Sequence, residues 1–486
     1  MAKINTNVVP MPQQPPEERV HNFDEVALGY AVDMVESEVG RCIQCKTRSC
    51  VRGCPVGVDI PVLLQKIRDQ DMPGAAEVLY TSNSFPAICG RVCPQESQCQ
   101  ATCTLNKRGV AVEIGRIERY VADWARENGW RMRAVSTPTG HKVAVIGSGP
   151  AGLACAADLA KAGHTVTVFE ALHKPGGVLA YGIPAFRLPR DVVQAEIEEV
   201  EKLGVEIRTD WIIGKTATID ELFEDGYEAV FVGTGAGLPS FLNIPGENLI
   251  GVYSANEFLT RVNLMGSSRF PENDTPIRVP KRVGVIGGGN VAMDAVRSSL
   301  RLGAEEAYIV YRRSETEMPA RHEEYEHAKE EGVIVKLLTN PVRVLGDEKG
   351  YVIGLECQRM ELGEPDERGR RRPIAVPGSE FVIDLDAVIV AIGTSPNPMV
   401  RKSTSDLKTG RHGVLIADGE TGRTTKARVW AGGDAVTGAA TVILAMGEGR
   451  HAAADIDSFL KGQGPTVEEW PGVDLSNPVH QTAPGG

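Results

Sequence analysis

The sequence predicts an α/β protein: a small helical N-terminal domain gathered around cysteines, followed by two nucleotide-binding α/β units, the second inserted into the first. Three observations predict it. Eight of the ten cysteines fall between Cys42 and Cys103. The run KVAVIGSGPAGLACAADLAKAGHTVTVFE near 142–170 is echoed by RVGVIGGGNVAMDAVRSSLRLGAEEAYIVYRR near 282–313. Further strand patterns, AVIVAIG and RVWAGGD, return after Asp386. A chain of 486 residues with 42% hydrophobic content has room for several cores, at ~100–200 residues each.

The N-terminal part divides into an arm with one helix (1–38), in which the Pro/Gln-rich start lies on the surface or on a partner and FDEVALGYAVDMVESE is helical, and a helical domain (39–130). The latter holds the patterns IPVLLQKIRDQ and VEIGRIERYVADWARENG. Residues 141–265 form the first part of one α/β unit, 281–385 the inserted unit, and 386–462 the returning part of the first, with 266–281 as a connection. The tail, 463–486, is rich in Pro, Gly and Thr and has little pattern.

Charge and composition narrow the function. A net charge of -12 and a pI near 5.4 argue against a nucleic-acid binder or a protein held electrostatically to acidic lipid. The first twenty residues have no continuous apolar run, and no later stretch approaches the ~18 apolar residues that span a bilayer. A cytoplasmic location is expected, and clustered cysteines there point to metal rather than disulfides.

In the first repeat, Gly147, Gly149 and Gly152 follow a strand and open a helix through Pro150 and Ala151, and Glu170 closes the next strand. Glycines admit the pyrophosphate to the helix N-terminus, and the acid accepts from ribose hydroxyls, so a dinucleotide without a 2′-phosphate fits. In the second, Gly287, Gly289 and Ala292, with Asn290 and Val291, stand at the same turn, but the second strand ends in Arg312 and Arg313. Guanidinium groups pair with a 2′-phosphate that an acid would repel, so NADPH is favoured; the bland reading is a solvated basic turn. Gly176 and Gly177 in KPGGVLAYGIPAFRLPR, Gly233 and Thr234 in AVFVGTGA, Gly393, and Gly433, Asp434 and Thr441 in WAGGDAVTGAATVILAMGEGRHAA speak for a flavin. Asp434 accepts from a ribityl hydroxyl, and the helix beginning near Ala440 aims its positive end at the flavin pyrimidine edge.

Together these segments resemble the two-dinucleotide flavoprotein reductases, similar in outline to glutathione or thioredoxin reductase. Those enzymes need a redox cysteine pair beside the flavin, and this half of the chain has only Cys155 and Cys357. Electrons must leave by another route, which the N-terminal cysteines supply. The runs Cys42-x2-Cys45-x4-Cys50-x3-Cys54-Pro and Cys89-x3-Cys93-Pro-x4-Cys99-x3-Cys103 suit cubane clusters, in which the fourth cysteine of a run serves the other cluster; a pair of all-cysteine zinc sites is the alternative.

With FPAICGRVCPQESQCQATCTLN, these runs closely resemble the small (β) subunits of bacterial NADPH-dependent glutamate synthases, and the N-terminal half of dihydropyrimidine dehydrogenase is similar. The resemblance covers about Phe23 to Leu460. It implies FAD, NADPH, two 4Fe-4S clusters, and a large partner subunit with FMN and the glutaminase site, where glutamate is made from glutamine and 2-oxoglutarate. It also implies Cys42, Cys45, Cys50 and Cys103 as ligands of one cluster, and Cys54, Cys93 and Cys99 of the other, with Glu118 as its fourth ligand and Cys89 as the rival. Arg187 and Arg321 are further cofactor candidates by resemblance, or else ion pairs. Hydride transfer then rests on cofactor positioning, with no catalytic acid or base. Other acceptors (ferredoxin, sulfide or polysulfide, a pyrimidine) and a zinc-stapled nucleotide-binding protein without turnover are the competing readings.

Overall fold

The computed structural model describes residues 5–133, 137–278, 280–366, 369–464 and 466–470; residues 1–4 and the tail from 471 lie outside them. Five parallel strands form the first sheet, in the order Val429–Ala431, Ala229–Val232, Lys142–Ile146, Thr165–Phe169, Glu206–Arg208. Their apolar residues are buried, as a sheet covered on both faces requires. The helices Pro150–Lys161 and Val442–Leu460 pack together on this sheet.

The second sheet repeats the plan with Val252–Ser254, Ala387–Val390, Arg282–Ile286, Glu306–Val310 and Ile334–Lys336, again all parallel. Here the sequence boundaries need correction. The strand Ala387–Val390, assigned from sequence to the returning part of the first unit, registers beside Arg282–Ile286 with Val388 opposite Gly284. Val252–Ser254 and the helix Ala255–Asn263 also belong to the second unit, so 266–281 is a loop within it rather than a connection. The crossings between units lie at Leu238–Pro239 and Thr394–Ser395, which pair antiparallel. AVFVGTG and AVIVAIG hold equivalent second positions in two similar sheets, and apolar pattern alone does not say which sheet each joins. A three-stranded antiparallel sheet, Thr339–Gly346, Val352–Pro365 and Arg371–Asp384, extends the second unit.

The N-terminal domain is helical. Ile60–Arg68 buries Ile60, Leu63, Leu64 and Ile67 along one face, and Asp59 caps it by accepting from the Val62 N–H. Ile114–Glu127 packs against Pro86–Val92 so closely that a Cβ on Gly90 would lie 2.6 Å from the Arg119 nitrogen. The helix expected over 23–38 is confined to Val32–Gly40. Upstream, Gly29 at φ +86° and the Val26 N–H donating to the Phe186 carbonyl (2.9 Å) hold the chain extended. Nor does the arm lie loose: the Arg19 side chain is buried between Glu330 and Glu331 of the second unit. Among the described residues no helix is long and apolar enough to cross a membrane.

Candidate functional site

At the first nucleotide turn the glycines are required by space. Gly147 sits at φ +97°, and a Cβ there would stand 2.5 Å from the Gly233 carbonyl; one on Gly152 would stand 1.9 Å from the Gly147 carbonyl. Around Gly149, which caps the helix Pro150–Lys161, nothing lies within 4 Å of a Cβ position. Pro150 and Ala151 are buried in the first turn. The result is a helix N-terminus pressed onto the sheet with its first N–H groups open to an anion.

Glu170 is buried beside this turn, accepting from the Ser148 N–H (2.9 Å) and hydroxyl and, on its other oxygen, from the Leu172 N–H (2.8 Å). A carboxylate has about four acceptor positions, so ribose hydroxyls can still be met. Ser148, which the sequence reading passed over, orients Glu170 and also accepts from the Gly176 N–H (3.0 Å). Gly177 approaches so near that its Cβ would be 2.8 Å from the Gly149 Cα. Thr234 follows Gly233 at the end of the strand Ala229–Val232.

Across the sheet, Gly433 adopts φ +67° and donates to Glu448 (2.6 Å), while Asp434 accepts from the Ala440 N–H (3.1 Å). Burial pushes the Asp434 carboxyl up to about 6 and that of Glu448 up to about 7. Both are half-buried polar groups that a hydroxyl-bearing ligand would satisfy. Thr441 caps the helix Val442–Leu460 through its hydroxyl, so its contribution is the helix end rather than a side-chain donor.

The second turn has the same build. Gly287 sits at φ +142° with a Cβ position 2.3 Å from the Ala391 carbonyl, Gly289 is open, Val291 is exposed, and Ala292 is buried. Gly393 follows a strand of this sheet rather than of the first. Asn290 accepts from the Arg321 N–H (2.8 Å).

The paired arginines part company. Arg312 is exposed, whereas Arg313 is buried and donates through Nε to the Arg371 carbonyl (3.0 Å). Arg312 is therefore the one placed to meet a 2′-phosphate, and Arg313 fastens the antiparallel sheet. Partial burial and the neighbouring Arg313 and Arg370 lower the Arg312 guanidinium from its usual range, the response of a cation crowded by cations.

Arg187 and Arg321, the further cofactor candidates, are both engaged in ion pairs. Arg187 pairs with Asp294 (2.8 Å) and Glu324 (3.0 Å), and Arg321 with Glu323 (2.8 Å), Gln95 (2.9 Å) and Glu96 (3.3 Å). Both tie one unit to another, because Asp294 lies on the helix Asn290–Arg301 and Gln95 beside the cysteines.

The cysteines gather as two sets. Cys42, Cys45, Cys50 and Cys103 stand near enough to repel one another, and burial with those neighbours pushes the Cys50 thiol up to about 11. Cys45 is lowered despite some burial by hydrogen bonds from Thr104 (3.2 Å) and Thr47 (3.7 Å). Cys54, Cys93 and Cys99 lie near Glu118; burial raises the Cys54 and Cys99 thiols, and a hydrogen bond with Cys89, then burial, raises that of Cys93. Glu118 itself is pushed up to about 8 by burial, opposed by the Asn83 amide donating at 2.7 Å.

Cys89 is also buried here, its sulfur 3.7 Å from the Asn83 Oδ1 and 3.6 Å from the Met446 sulfur. Among the described residues no three such side chains close tightly on a single ion. Four thiols in one group, and Cys54, Cys93 and Cys99 with Glu118 and Cys89 beside them in the other, suit cubane clusters, whose irons hold ligands farther apart than one ion does.

Comparison with known proteins accords with this geometry. Residues 19–130 match the family described as dihydropyrimidine dehydrogenase domain II, 4Fe-4S cluster, and residues 141–449 match the pyridine nucleotide-disulphide oxidoreductase family. The glutamate synthase [NADPH] small chain of Escherichia coli is 38% identical over 94% of this chain and 98% of its own length. A putative oxidoreductase, AegA, of the same organism is 40% identical over 91% of this chain and 68% of its own. The β subunit of an NADP(+)-dependent formate dehydrogenase from Moorella thermoacetica is 39% identical over 87% of this chain, which spans 62% of that protein. The fold is similar to that of Mycobacterium tuberculosis FprA in complex with NADPH (TM-score 0.55, 18% identity, 68% of this chain and 89% of the other).

Proposed function

Because the chain belongs to the pyridine nucleotide-disulphide oxidoreductase family and, with its cluster domain, to the same family as the NADPH glutamate synthase small chains, we propose that it is the NADPH-oxidising subunit of a glutamate synthase. As an FAD and 4Fe-4S oxidoreductase it would serve a large subunit that forms glutamate from glutamine and 2-oxoglutarate. The observation that carries this is a match running through the cluster domain and both nucleotide units over 98% of the Escherichia coli small chain.

A flavin and two clusters held at these sites would supply two-electron acceptance from NADPH and one-electron release. The chain's own part is placement. The helix N-termini at Gly149 and Gly289 hold the two pyrophosphates, Glu170 and Arg312 select the unphosphorylated and phosphorylated riboses, and Asp434 and the start of Val442–Leu460 seat the flavin's ribityl and pyrimidine ends. Cys42, Cys45, Cys50 and Cys103 hold one cluster; Cys54, Cys93, Cys99 and Glu118 hold the other. Asn83 supports Glu118 as the fourth ligand, since it fixes one carboxyl oxygen and turns its own Oδ1 to Cys89.

A second reading, the same module serving another acceptor, is favoured by the 39% identity to the formate dehydrogenase β subunit and the 36% identity to the β subunit of an NADPH-Fe(3+) oxidoreductase from Geobacter sulfurreducens. Co-expression with a glutamate synthase large subunit tests the choice. A stable complex that oxidises NADPH only when both glutamine and 2-oxoglutarate are present is expected. NADPH oxidation through ferric or other acceptors, with no complex formed, would reject the glutamate synthase reading.

A further inference from the structure

The two cysteine sets differ in where they lie. In the second set Cys93 and Cys99 are buried and only Cys54 is partly exposed, whereas Cys42, Cys45, Cys50 and Cys103 are all partly exposed. An electron reaching the first set is at the surface, and the surface there has a particular composition. The stretches Cys42–Cys54 and Cys103–Gly109 contain Lys46, Arg48, Arg52, Lys107 and Arg108 and no acidic residue, in a chain with 64 acids against 52 basic residues. The corresponding stretch of the second set, Cys89–Cys99, has one of each, Arg91 and Glu96.

All five cations are exposed. Among the described residues only Arg48 is held in an ion pair, with Asp59, although ion pairs abound elsewhere in the molecule. Arg52 reaches only the Thr47 carbonyl (3.3 Å) and the Ser49 hydroxyl (3.4 Å). The two stretches meet at the Thr104–Cys45 contact. Beside them lie two exposed aliphatic side chains, Ile43 at 44% and Val62 at 38%. The segments that carry them are joined by the Gln44 amide donating to the Pro61 carbonyl (2.9 Å), at the start of the helix Ile60–Arg68. An apolar spot rimmed by exposed cations, most of them without an ion-pair partner among the described residues, over a redox centre, is built like the contact face of a transient protein complex.

We propose that this face docks an electron-carrying protein through an acidic patch on that partner. The inference rests on the electron-transfer reading above and adds to it the partner's charge and landing site. An acidic partner is repelled by a chain of net charge -12 as a whole and attracted where these cations cluster, so the charge pattern steers it to a face where an electron can leave. The stoichiometry is fixed: each NADPH that becomes NADP+ releases one proton and reduces two molecules of a one-electron carrier.

The test uses the anaerobic holoenzyme with a negatively charged 2Fe-2S ferredoxin, a positively charged cytochrome c and an uncharged quinone as acceptors, and with the double variant Lys107→Glu/Arg108→Glu. Ferredoxin binding measured without NADPH should weaken about tenfold in the variant, and ferredoxin reduction should fall with added salt in the wild type. Cytochrome c reduction should rise in the variant, and quinone reduction should stay unchanged. Unchanged ferredoxin binding, or equal losses for both protein acceptors, would overturn the docking face. A shift in cluster potential without loss of ferredoxin binding would assign the cations to balancing cluster charge and would also overturn it. If ferredoxin binding weakens as expected but NADPH reduces no acceptor, the docking face stands and the proposed function falls.

Discussion

Asn83 holds two neighbours apart by chemistry. Its amide donates to Glu118 Oε1, and its Oδ1 accepts from the Phe85 N–H (2.9 Å) and faces the Cys89 thiol. The backbone bond fixes which way the amide points, so the carboxyl is held by one oxygen while the other has no hydrogen-bond partner among the described residues. Glu118→Ala should therefore lose one cluster, leaving about four irons of about eight, and Cys89→Ala should keep both. Iron analysis with electron paramagnetic resonance of the reduced protein decides this, and loss of a cluster in the Cys89 variant would reverse the assignment. The arginine pair separates in the same manner. Arg312→Ala should raise the KM for NADPH at least about tenfold, about 1.4 kcal/mol, with little effect on NADH. Arg313→Ala should affect the two nucleotides alike, because its guanidinium holds a carbonyl, and a selective loss of NADPH there would contradict the split.

At the scale of elements, the final helix Val442–Leu460 joins what the sequence could and could not reveal. Its start was legible, because a small, glycine-rich turn after a strand has few other uses. Glu448 was not: an acid on a helix reads as solvated, and only the fold turns it onto the Gly433 N–H. For the same reason the ion pairs of Arg187 and Arg321 were not legible, since Asp294, Glu324 and Gln95, which face them, are distant in sequence. The glycine turns and cysteine spacings are local and could be read directly, whereas sheet membership of Ala387–Val390 depends on a tertiary neighbour. Glu448 also gives a pH effect with a definite sign. Its carboxyl is raised from 4.5 to about 7 by burial, so the folded state holds the proton more tightly than the unfolded state. The stability it contributes is present below pH 4.5 and is lost as pH rises to about 7, by about 3 kcal/mol at most. Glu448→Gln should flatten this part of the pH dependence of the denaturation midpoint of the apoprotein, and an unaltered slope between pH 4.5 and 7 would show that Glu448 is ionised throughout.

Over the whole molecule, the three units are fastened along a charged seam. Glu331 is buried and accepts from Arg19 of the arm and from Arg297 and Arg301 of the second unit. Those two arginines also stack on Phe186 of the first unit, their guanidinium carbons 4.6 and 3.9 Å from the ring centre. Arg91 and Arg119 bind Glu25 of the arm to Asp123 of the cluster domain. Burial of so many charges adds little net stability, since desolvation offsets attraction, but removing one partner leaves the others uncompensated and costs about 3–5 kcal/mol. The seam's contribution is geometric: it sets how the nicotinamide unit faces the flavin unit, and hydride transfer falls steeply with small misplacement. Arg19→Ala should cost the low end of that range, because Arg297 and Arg301 still neutralise Glu331, and should speed hydrogen exchange in the helix His322–Glu330 without loss of flavin or iron. Flavin reduction by NADPH in a stopped-flow experiment should slow by about tenfold or more. Full-speed reduction despite faster exchange would mean that the arm steadies the second unit without setting its distance from the flavin.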